Sequence, residues 1–107
     1  MPAGGTGNEW SVIICYIDEV RFAVKVTKKA GKGIEAAPDH IQEAFQDLTD
    51  DLAATGPVQS SWPNYSKLGK DRYHCHLAHK WVACWTIEKG TIIIEVYYAG
   101  SRENAPY

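Results

Sequence analysis

The fold is decided by the segment RYHCHLAHKWVACWTIEKGTIIIEVYY, residues 72–98. Two short turn signals, residues 78–80 and 88–90, divide it into three runs that are rich in β-branched and aromatic residues. Runs of this length joined by such short turns are typical of neighbouring antiparallel strands. The segment therefore predicts a three-stranded antiparallel meander.

The first run of this meander places two histidines on one side of a strand. Side chains alternate across a strand, so His74 and His76 should share a face with Arg72. The opposite face should carry apolar side chains, namely Tyr73, Cys75 and Leu77. One face is therefore predicted to be apolar, and the other basic and titratable.

Length and composition indicate a single globular domain. The chain has 107 residues, 45% of them hydrophobic and 22% charged, which suits one compact core rather than two. Residues 1–8 are glycine-rich and lack a secretory signal, so we expect a flexible leader there and one domain over residues 9–107. No apolar run approaches the roughly 20 residues that a membrane helix needs, and a cytoplasmic location is expected.

The cysteines and the charges narrow the class of protein. Cys15, Cys75 and Cys84 lie in apolar runs and are odd in number, which favours buried free thiols over disulfides. The net charge of −2 argues against a nucleic-acid binder. However, six acidic residues and no Lys or Arg occur in residues 35–52, whereas residues 62–107 carry six Lys or Arg against four Asp or Glu. The acidic run is interpreted as a solvated helix face, and the C-terminal half is mildly basic.

The N-terminal half predicts a strand and two helices. Residues 9–17 contain a continuous apolar run that is typical of a buried strand. Residues 18–29 alternate like a strand, yet Asp18-Glu19 could open a helix, and residues 30–33 should break either element. A well-marked helix follows Pro38 and stops at Gly56, after which residues 58–69 are predicted to form a loop.

Several blocks of the C-terminal half resemble the RelE/ParE toxin superfamily of bacterial toxin–antitoxin systems. The most specific are WPNYSKLG at residues 62–69, YHCH at residues 73–76 and GSRENAPY at residues 100–107. The resemblance implies an α+β, RelE-like fold: one N-terminal strand, two helices, then a three-stranded antiparallel meander with the helices on one face of the sheet. It also favours helix over strand for residues 18–29.

The resemblance further implies a function and a set of site residues. RelE-like ribonucleases cleave messenger RNA on the ribosome and are neutralised by an antitoxin protein, without a metal or other cofactor. His74 and His76 stand where the family has two basic residues, Arg102 matches its Gly-x-Arg position, and Tyr107 stands near its terminal tyrosine. Val82 replaces the third-strand arginine of the family. The expected RNA contacts are Arg72, His79, Lys80 and Lys67.

The residues support this chemistry independently of the family. Cleavage of RNA by its own 2′-hydroxyl needs a base, an acid and a cation for the phosphate, and histidine can perform either proton transfer near neutral pH. Three alternatives stay open at this point: His74 and His76 as ordinary exposed strand residues, zinc ligation together with His79, and an Arg102 ion pair with Glu103. Trp81, Trp85 and Tyr98 are more typical of a core than of base stacking.

The sequence thus predicts a ribosome-dependent messenger RNA endoribonuclease that acts as the toxin of a toxin–antitoxin system. The catalytic residues of this hypothesis are His74, His76, Arg102 and Tyr107. The alternative is a binding module of the same fold, either a ParE-like gyrase inhibitor or a toxin-derived protein without nuclease activity. The loss of the third-strand arginine at Val82 is the feature that favours this alternative.

Overall fold

The computed structural model of the protein describes residues 22–106. Strand β1 (Ala23–Val26) is followed by helices α1 (Lys28–Glu35) and α2 (Asp39–Thr55). The short strand β2 (Ser66–Lys67) precedes β3 (Arg72–Ala78), β4 (Trp81–Ile87) and β5 (Ile93–Ser101), and a 3-10 turn, Arg102–Asn104, ends the described chain. Among these residues, no helix is long and apolar enough to cross a membrane.

The strands form one mixed sheet in the order β1-β5-β4-β3-β2. Strand β1 runs parallel to β5, and the other neighbours are antiparallel. The predicted α+β fold class, with two helices followed by an antiparallel meander, is confirmed, and the described sheet has five strands. The strand that was predicted over residues 9–17 lies outside the described residues, and so do the leader and Tyr107.

The helical assignment of residues 18–29 is wrong for residues 23–26, which form a strand, whereas residues 28 and 29 begin helix α1. Val24 and Val26 are fully buried while Lys25 between them is exposed, which is the period of a strand. The segment pairs with Ile93–Val96 of β5, so a partner about seventy residues away decides its conformation. Helix α1 begins only after Thr27, whose hydroxyl accepts a hydrogen bond from the backbone N–H of Ala30.

Two further expectations need correction. Residues 30–33 do not break an element, because they form the middle of α1. The predicted loop at 58–69 contains β2, which pairs antiparallel with Tyr73 and His74. By contrast, α2 ends as predicted at Thr55, because Gly56 adopts a φ of 96° that other residues rarely reach.

The helices cover one face of the sheet, and the main core lies between the helices and that face. Trp85, Phe45 and Leu48 are among the largest buried side chains of this core. Tyr73, Cys75 and Leu77 of β3 point into it, as the alternation predicted. The acidic residues of 35–52 are all exposed, which confirms the solvated helix face: Glu35, Asp39, Glu43, Asp47, Asp50 and Asp51.

Helix α1 packs directly on the end of β5 through Gly33. A Cβ at this position would overlap the backbone carbonyl oxygen of Ala99, which no side-chain rotation can relieve. We expect Gly33→Ala to lower the free energy of unfolding by about 3 kcal/mol or more, as severe overpacking does. Urea denaturation should detect the loss, with the exposed neighbour Lys32→Ala as control. Equal stabilities for the two variants would contradict this close packing.

Candidate active site

The face of the sheet that the helices leave uncovered carries the two histidines. Cross-strand pairing aligns His74 with Cys84, which in turn pairs with Tyr98. It aligns His76 with Val82, which pairs with Gly100. Val82, Cys84 and Tyr98 form a small buried apolar cluster, so this face has an apolar floor beside the histidines.

The two histidines are buried rather than exposed. His74 and His76 are only 7% and 9% exposed, which excludes the interpretation of ordinary exposed strand residues. Their rings lie 5.8 Å apart, edge to face. The segment before β3 encloses them, because the backbone N–H of His76 donates to the carbonyl of Pro63 at 2.8 Å and β2 lies alongside His74. The prediction that both rings share one face with each other and not with Cys75 is confirmed.

Each imidazole has a polar partner from this enclosing segment. The Ser66 hydroxyl oxygen lies 2.9 Å from Nδ1 of His74, and the Asn64 side-chain nitrogen lies 3.2 Å from Nδ1 of His76. Sequence reasoning assigned no role to Asn64 or Ser66. The available signal was two short polar residues, two positions apart, in a loop just before a His-x-His strand. Nothing local in the sequence, however, states which histidine each would meet.

The surroundings lower the pKa of both imidazoles. Burial lowers the pKa of His74, while a hydrogen bond to the backbone carbonyl of Ser66 acts in the opposite direction. Burial also lowers the pKa of His76, and the charges of His74, Arg102 and His79 lower it further. Both lowered pKa values favour the neutral ring, which is the state in which an imidazole can accept a proton.

Arg102 lies in the turn that follows β5, and its charge acts on His76. Its backbone N–H donates to the carbonyl of Lys80 at 2.7 Å, which holds this turn against the β3–β4 connection. A cavity of about 240 Å³ opens there, lined in part by His79, Lys80 and Arg102. The structure thus brings together four predicted residues: His76, His79, Lys80 and Arg102.

The remaining predicted RNA contacts are placed differently. Arg72 lies at the far end of the same face, near the Tyr97 phenol. Burial raises the pKa of Tyr97, and the charge of Arg72 acts in the opposite direction. Lys67 does not join the site, because its ammonium sits 5.8 Å from the ring centre of Tyr73, a residue of the opposite face. Tyr107 lies outside the described residues.

The aromatic residues mostly belong to the core, as predicted. Trp85 is fully buried, and its indole N–H donates to the carbonyl of Pro57 at 2.9 Å. Tyr98 is 8% exposed and donates its hydroxyl proton to the carbonyl of Ser101 at 2.6 Å. Its ring also covers Gly100, where an added Cβ would lie 3.0 Å from the phenol oxygen.

Neither the zinc site considered above nor a reactive thiol is supported by the described residues. Within residues 22–106, no group of three or more His, Cys, Asp or Glu side chains is assembled that could hold a metal, so the three-histidine zinc site does not form there. Cys75 and Cys84 are buried free thiols, and burial raises the pKa of each to about 12. A thiol with such a pKa is almost entirely protonated near neutral pH and is a poor nucleophile. Cys15 lies outside the described residues.

The lowered histidine pKa values predict how stability depends on pH. Below the ordinary histidine pKa of about 6.5, the unfolded chain binds protons that the folded chain resists, so stability falls as pH falls. We expect the double variant His74→Gln/His76→Gln to lose less unfolding free energy than the parent protein when the pH falls from about 7.5 to about 5.5, an interval that brackets this pKa. Urea titrations at the two pH values measure the difference. An equal loss in both proteins would show that these histidines are not harder to protonate in the folded state.

The uncovered sheet face, its two buried histidines and the adjacent arginine belong to a fold with known relatives. A chain of the archaeal RelE–RelB complex from Pyrococcus horikoshii is similar, with a TM-score of 0.64 at 16% identity over 79% of this chain and 99% of that one. A chain of the DinJ–YafQ toxin–antitoxin complex from E. coli has a TM-score of 0.64 at 12% identity, over 82% of this chain and 100% of that one. The metal-bound toxin from Helicobacter pylori has a TM-score of 0.56 at 21% identity, over 75% of this chain and 93% of that one.

These similarities establish the fold. The protein has the RelE-like α+β fold, and the architecture implied by the sequence blocks at residues 62–69, 73–76 and 100–107 is confirmed. No protein-family model matches the sequence, and no curated protein matches it significantly. At these identities, the likeness extends to the fold alone.

Proposed function

We propose that this protein is the toxin of a toxin–antitoxin system and that it cleaves messenger RNA on the ribosome. The observation that carries the proposal is the pair of histidines, His74 and His76, on the sheet face that the helices leave uncovered, with the charge of Arg102 acting on His76. Two imidazoles next to a guanidinium match the requirements of phosphodiester cleavage. Chains of the same fold occur in toxin–antitoxin complexes, which supports the biological setting.

The reaction is an attack of a ribose 2′-oxygen on the neighbouring phosphorus. The new 2′-O–P bond forms as the P–O5′ bond breaks, which gives a 2′,3′-cyclic phosphate and a free 5′-hydroxyl. One neutral histidine takes the 2′-proton as the base, and the other can donate a hydrogen bond at the phosphate. The leaving 5′-oxygen takes its proton from water, and the protonated histidine then returns its proton to the solvent. Arg102 holds the phosphate oxygens, because its planar guanidinium offers paired N–H donors that stay charged throughout the reaction.

A cognate antitoxin is the proposed protein partner. Antitoxins named for the related complexes include RelB and DinJ. On this chain, the proposed contact surface is the face with His74, His76 and Arg102, since a partner that covers this face blocks RNA access. Messenger RNA in the ribosome is the second proposed partner, and Arg72, His79 and Lys80 border the same face.

One observation favours a second candidate function. Val82 occupies the position where the family has a third-strand arginine, and it is fully buried against Cys84 and Tyr98. Strand β4, which carries Val82, therefore brings no cation to the histidines at this position. A toxin-derived or ParE-like binding module without nuclease activity would retain the fold and the antitoxin surface.

Induction of the protein with and without its genomic neighbour tests the proposal. Expression alone should arrest growth and should produce 5′-hydroxyl ends within ribosome-bound messages. Co-expression with the neighbouring open reading frame should restore growth, and the two proteins should purify together. Growth arrest without message cleavage would favour the binding module, whereas neither arrest nor a co-purifying neighbour would refute the toxin assignment.

A further test concerns the C-terminal residue. Pro106 restricts the backbone before Tyr107, which limits where that phenol can lie. We expect deletion of Tyr107 to lower cleavage about 10-fold or more, in the range of a lost catalytic group, and to leave the melting temperature nearly unchanged. Thermal denaturation alongside the cleavage assay separates the two effects. A proportional loss of melting temperature would make Tyr107 a packing residue.

A further inference from the structure

Trp81, the first residue of β4, differs from the other tryptophans that the structure describes. The indole N–H groups of Trp62 and Trp85 donate to protein oxygens, the Asp51 carboxylate at 2.8 Å and the Pro57 carbonyl at 2.9 Å. Among the described residues, the indole N–H of Trp81 finds no such acceptor. Trp81 is also only partly buried, whereas Trp85 is fully buried. Part of the Trp81 ring and its N–H donor are therefore available to a ligand.

Two cavities border this indole. The cavity of about 240 Å³ that Arg102 lines also has Trp81 in its wall. A second cavity, of about 400 Å³, lies between α1 and the end of β5, and Trp81 contributes to its wall as well. Trp81 and Ser101, which pair across β4 and β5, are common to both walls. The indole is thus the aromatic surface that the two cavities share.

An irregular turn places the ring at this end of the sheet. Regular pairing of β3 with β4 ends where His76 pairs with Val82, and the register then shifts so that Ala78 pairs with Trp81. Shifts of this kind bend a strand and re-aim its side chains. Trp81 accordingly packs against the main core with only part of its surface. The rest of the side chain lies in the wall of the same cavity as Arg102.

The charges around the ring suit a segment of RNA. The two cavity walls contain Lys29 of α1, Lys80 and Arg102, against one carboxylate, that of Glu103. This surplus of cations attracts a phosphate backbone, and an aromatic ring can stack on any nucleobase. An acidic peptide would use the cations but not the indole, and it would be repelled by Glu103. A nucleotide uses both features.

We propose that Trp81 forms a base-binding subsite, in which its indole stacks on a nucleobase next to the bond that is cleaved. Arg102 holds the reacting phosphate, and Trp81 receives the base of an adjoining nucleotide in the same cavity. The inference rests on the proposed function and deepens it by naming a side chain that binds the RNA without contacting its phosphates. Because Trp81 takes no part in proton transfer, its loss should weaken RNA binding far more than it slows the chemical step.

Binding to programmed ribosomes measures this contact without cleavage when the A-site codon of the message carries 2′-deoxyriboses. Trp81→Leu keeps an apolar side chain but loses the flat ring, and should raise the Kd about 10-fold or more, as expected for one lost base stack. Trp81→Phe restores a ring and should recover most of the affinity, whereas a packing role alone would make the two variants alike. Ile92→Ala removes an exposed apolar side chain just before the opposite end of β5 and should bind like the parent protein.

Removal of single bases from the same codon identifies the stacked nucleotide. At the stacked position, an abasic residue should weaken the binding of the parent protein about 10-fold and should cost Trp81→Leu almost nothing, because both changes delete one contact. At the other positions the loss should be equal in the two proteins. A fluorescent purine analogue at the stacked position should change its emission when the parent protein binds, a measurement that does not depend on the folding of a variant.

The outcomes separate this inference from the proposed function. Equal Kd values for the parent and Trp81→Leu, or no coupling at any abasic position, would overturn the subsite even in a protein that cleaves message. Coupling in a protein that leaves ribose-containing message intact would support the subsite and count against the nuclease instead. Unchanged RNA binding by Trp81→Leu together with loss of the neighbour-encoded protein would assign the indole to the antitoxin contact and would also overturn the subsite.

Discussion

Replacing His74 with glutamine should lower the cleavage of ribosome-bound message by about 100-fold or more, in line with the loss of a general base. The same change at His76 should have a comparable effect, because a missing donor to a developing oxyanion costs about 100-fold or more. Rates measured on programmed ribosomes under single-turnover conditions report the chemical step.

Glutamine is preferred to alanine for both variants because of the structure. Both rings are buried and hydrogen-bonded to Asn64 or Ser66, so truncation to alanine would leave a void and unsatisfied polar groups. The burial of both rings therefore makes folding sensitive to these changes. His40→Gln on the exposed surface of α2 is the matched control and should cleave at the parental rate. A double variant that still cleaves at that rate would remove both histidines from the mechanism.

Arg102→Ala should produce the second large effect, a loss of about 100-fold or more in cleavage, because the phosphate loses its charged donors in the transition state. Arg102→Lys should recover only part of this loss. Lysine keeps the charge but not the planar pair of N–H groups that binds two phosphate oxygens. Arg102 is exposed, and the hydrogen bond that it makes to the Lys80 carbonyl comes from its backbone N–H, so both variants should keep the parental melting temperature.

Lys89→Ala is the matched control for this series. It removes an exposed cation in the β4–β5 turn, at the end of the meander away from Arg102, and should leave cleavage unchanged. Full activity in Arg102→Lys would reduce Arg102 to a diffuse positive charge. The phosphate clamp would then have to be sought at Arg72 or Lys80, both of which border the same face.

The same histidine variants should weaken the binding of an antitoxin less than they weaken catalysis. A partner that covers the whole face contacts many residues, and most single contacts in such an interface contribute little. Co-purification of the neighbour-encoded protein with His74→Gln therefore distinguishes a damaged active site from a damaged fold.

Much of the fold could be predicted because its signals are local. The meander follows from period-two alternation with tight turns, and α2 follows from apolar residues at helical spacing between Pro38 and Gly56. The segregation of Tyr73 from His74 onto opposite faces follows from strand geometry alone and is confirmed.

The conformation of residues 23–26 could not be settled in this way. Their alternation indicated a strand and the family pattern was read as a helix, and the structure shows the strand. Parallel pairing with β5 decides the matter, because the backbone hydrogen bonds of β1 come from residues distant in sequence. Likewise, the sequence indicated that Gly33 breaks a helix, whereas the structure shows that its lack of a side chain allows α1 to pack against the backbone of Ala99.

The sequence by itself determined which chemical groups are present and on which side of β3 they lie, because alternation along a strand needs no partner. Only the tertiary structure decided that His74 and His76 are buried, that the charge of Arg102 acts on His76, and that the Lys67 ammonium lies over Tyr73 instead. Burial and pKa depend on groups brought in from the loop at 63–66 and the turn after β5. Their positions are set by strand pairing and close packing between segments that are separated along the chain.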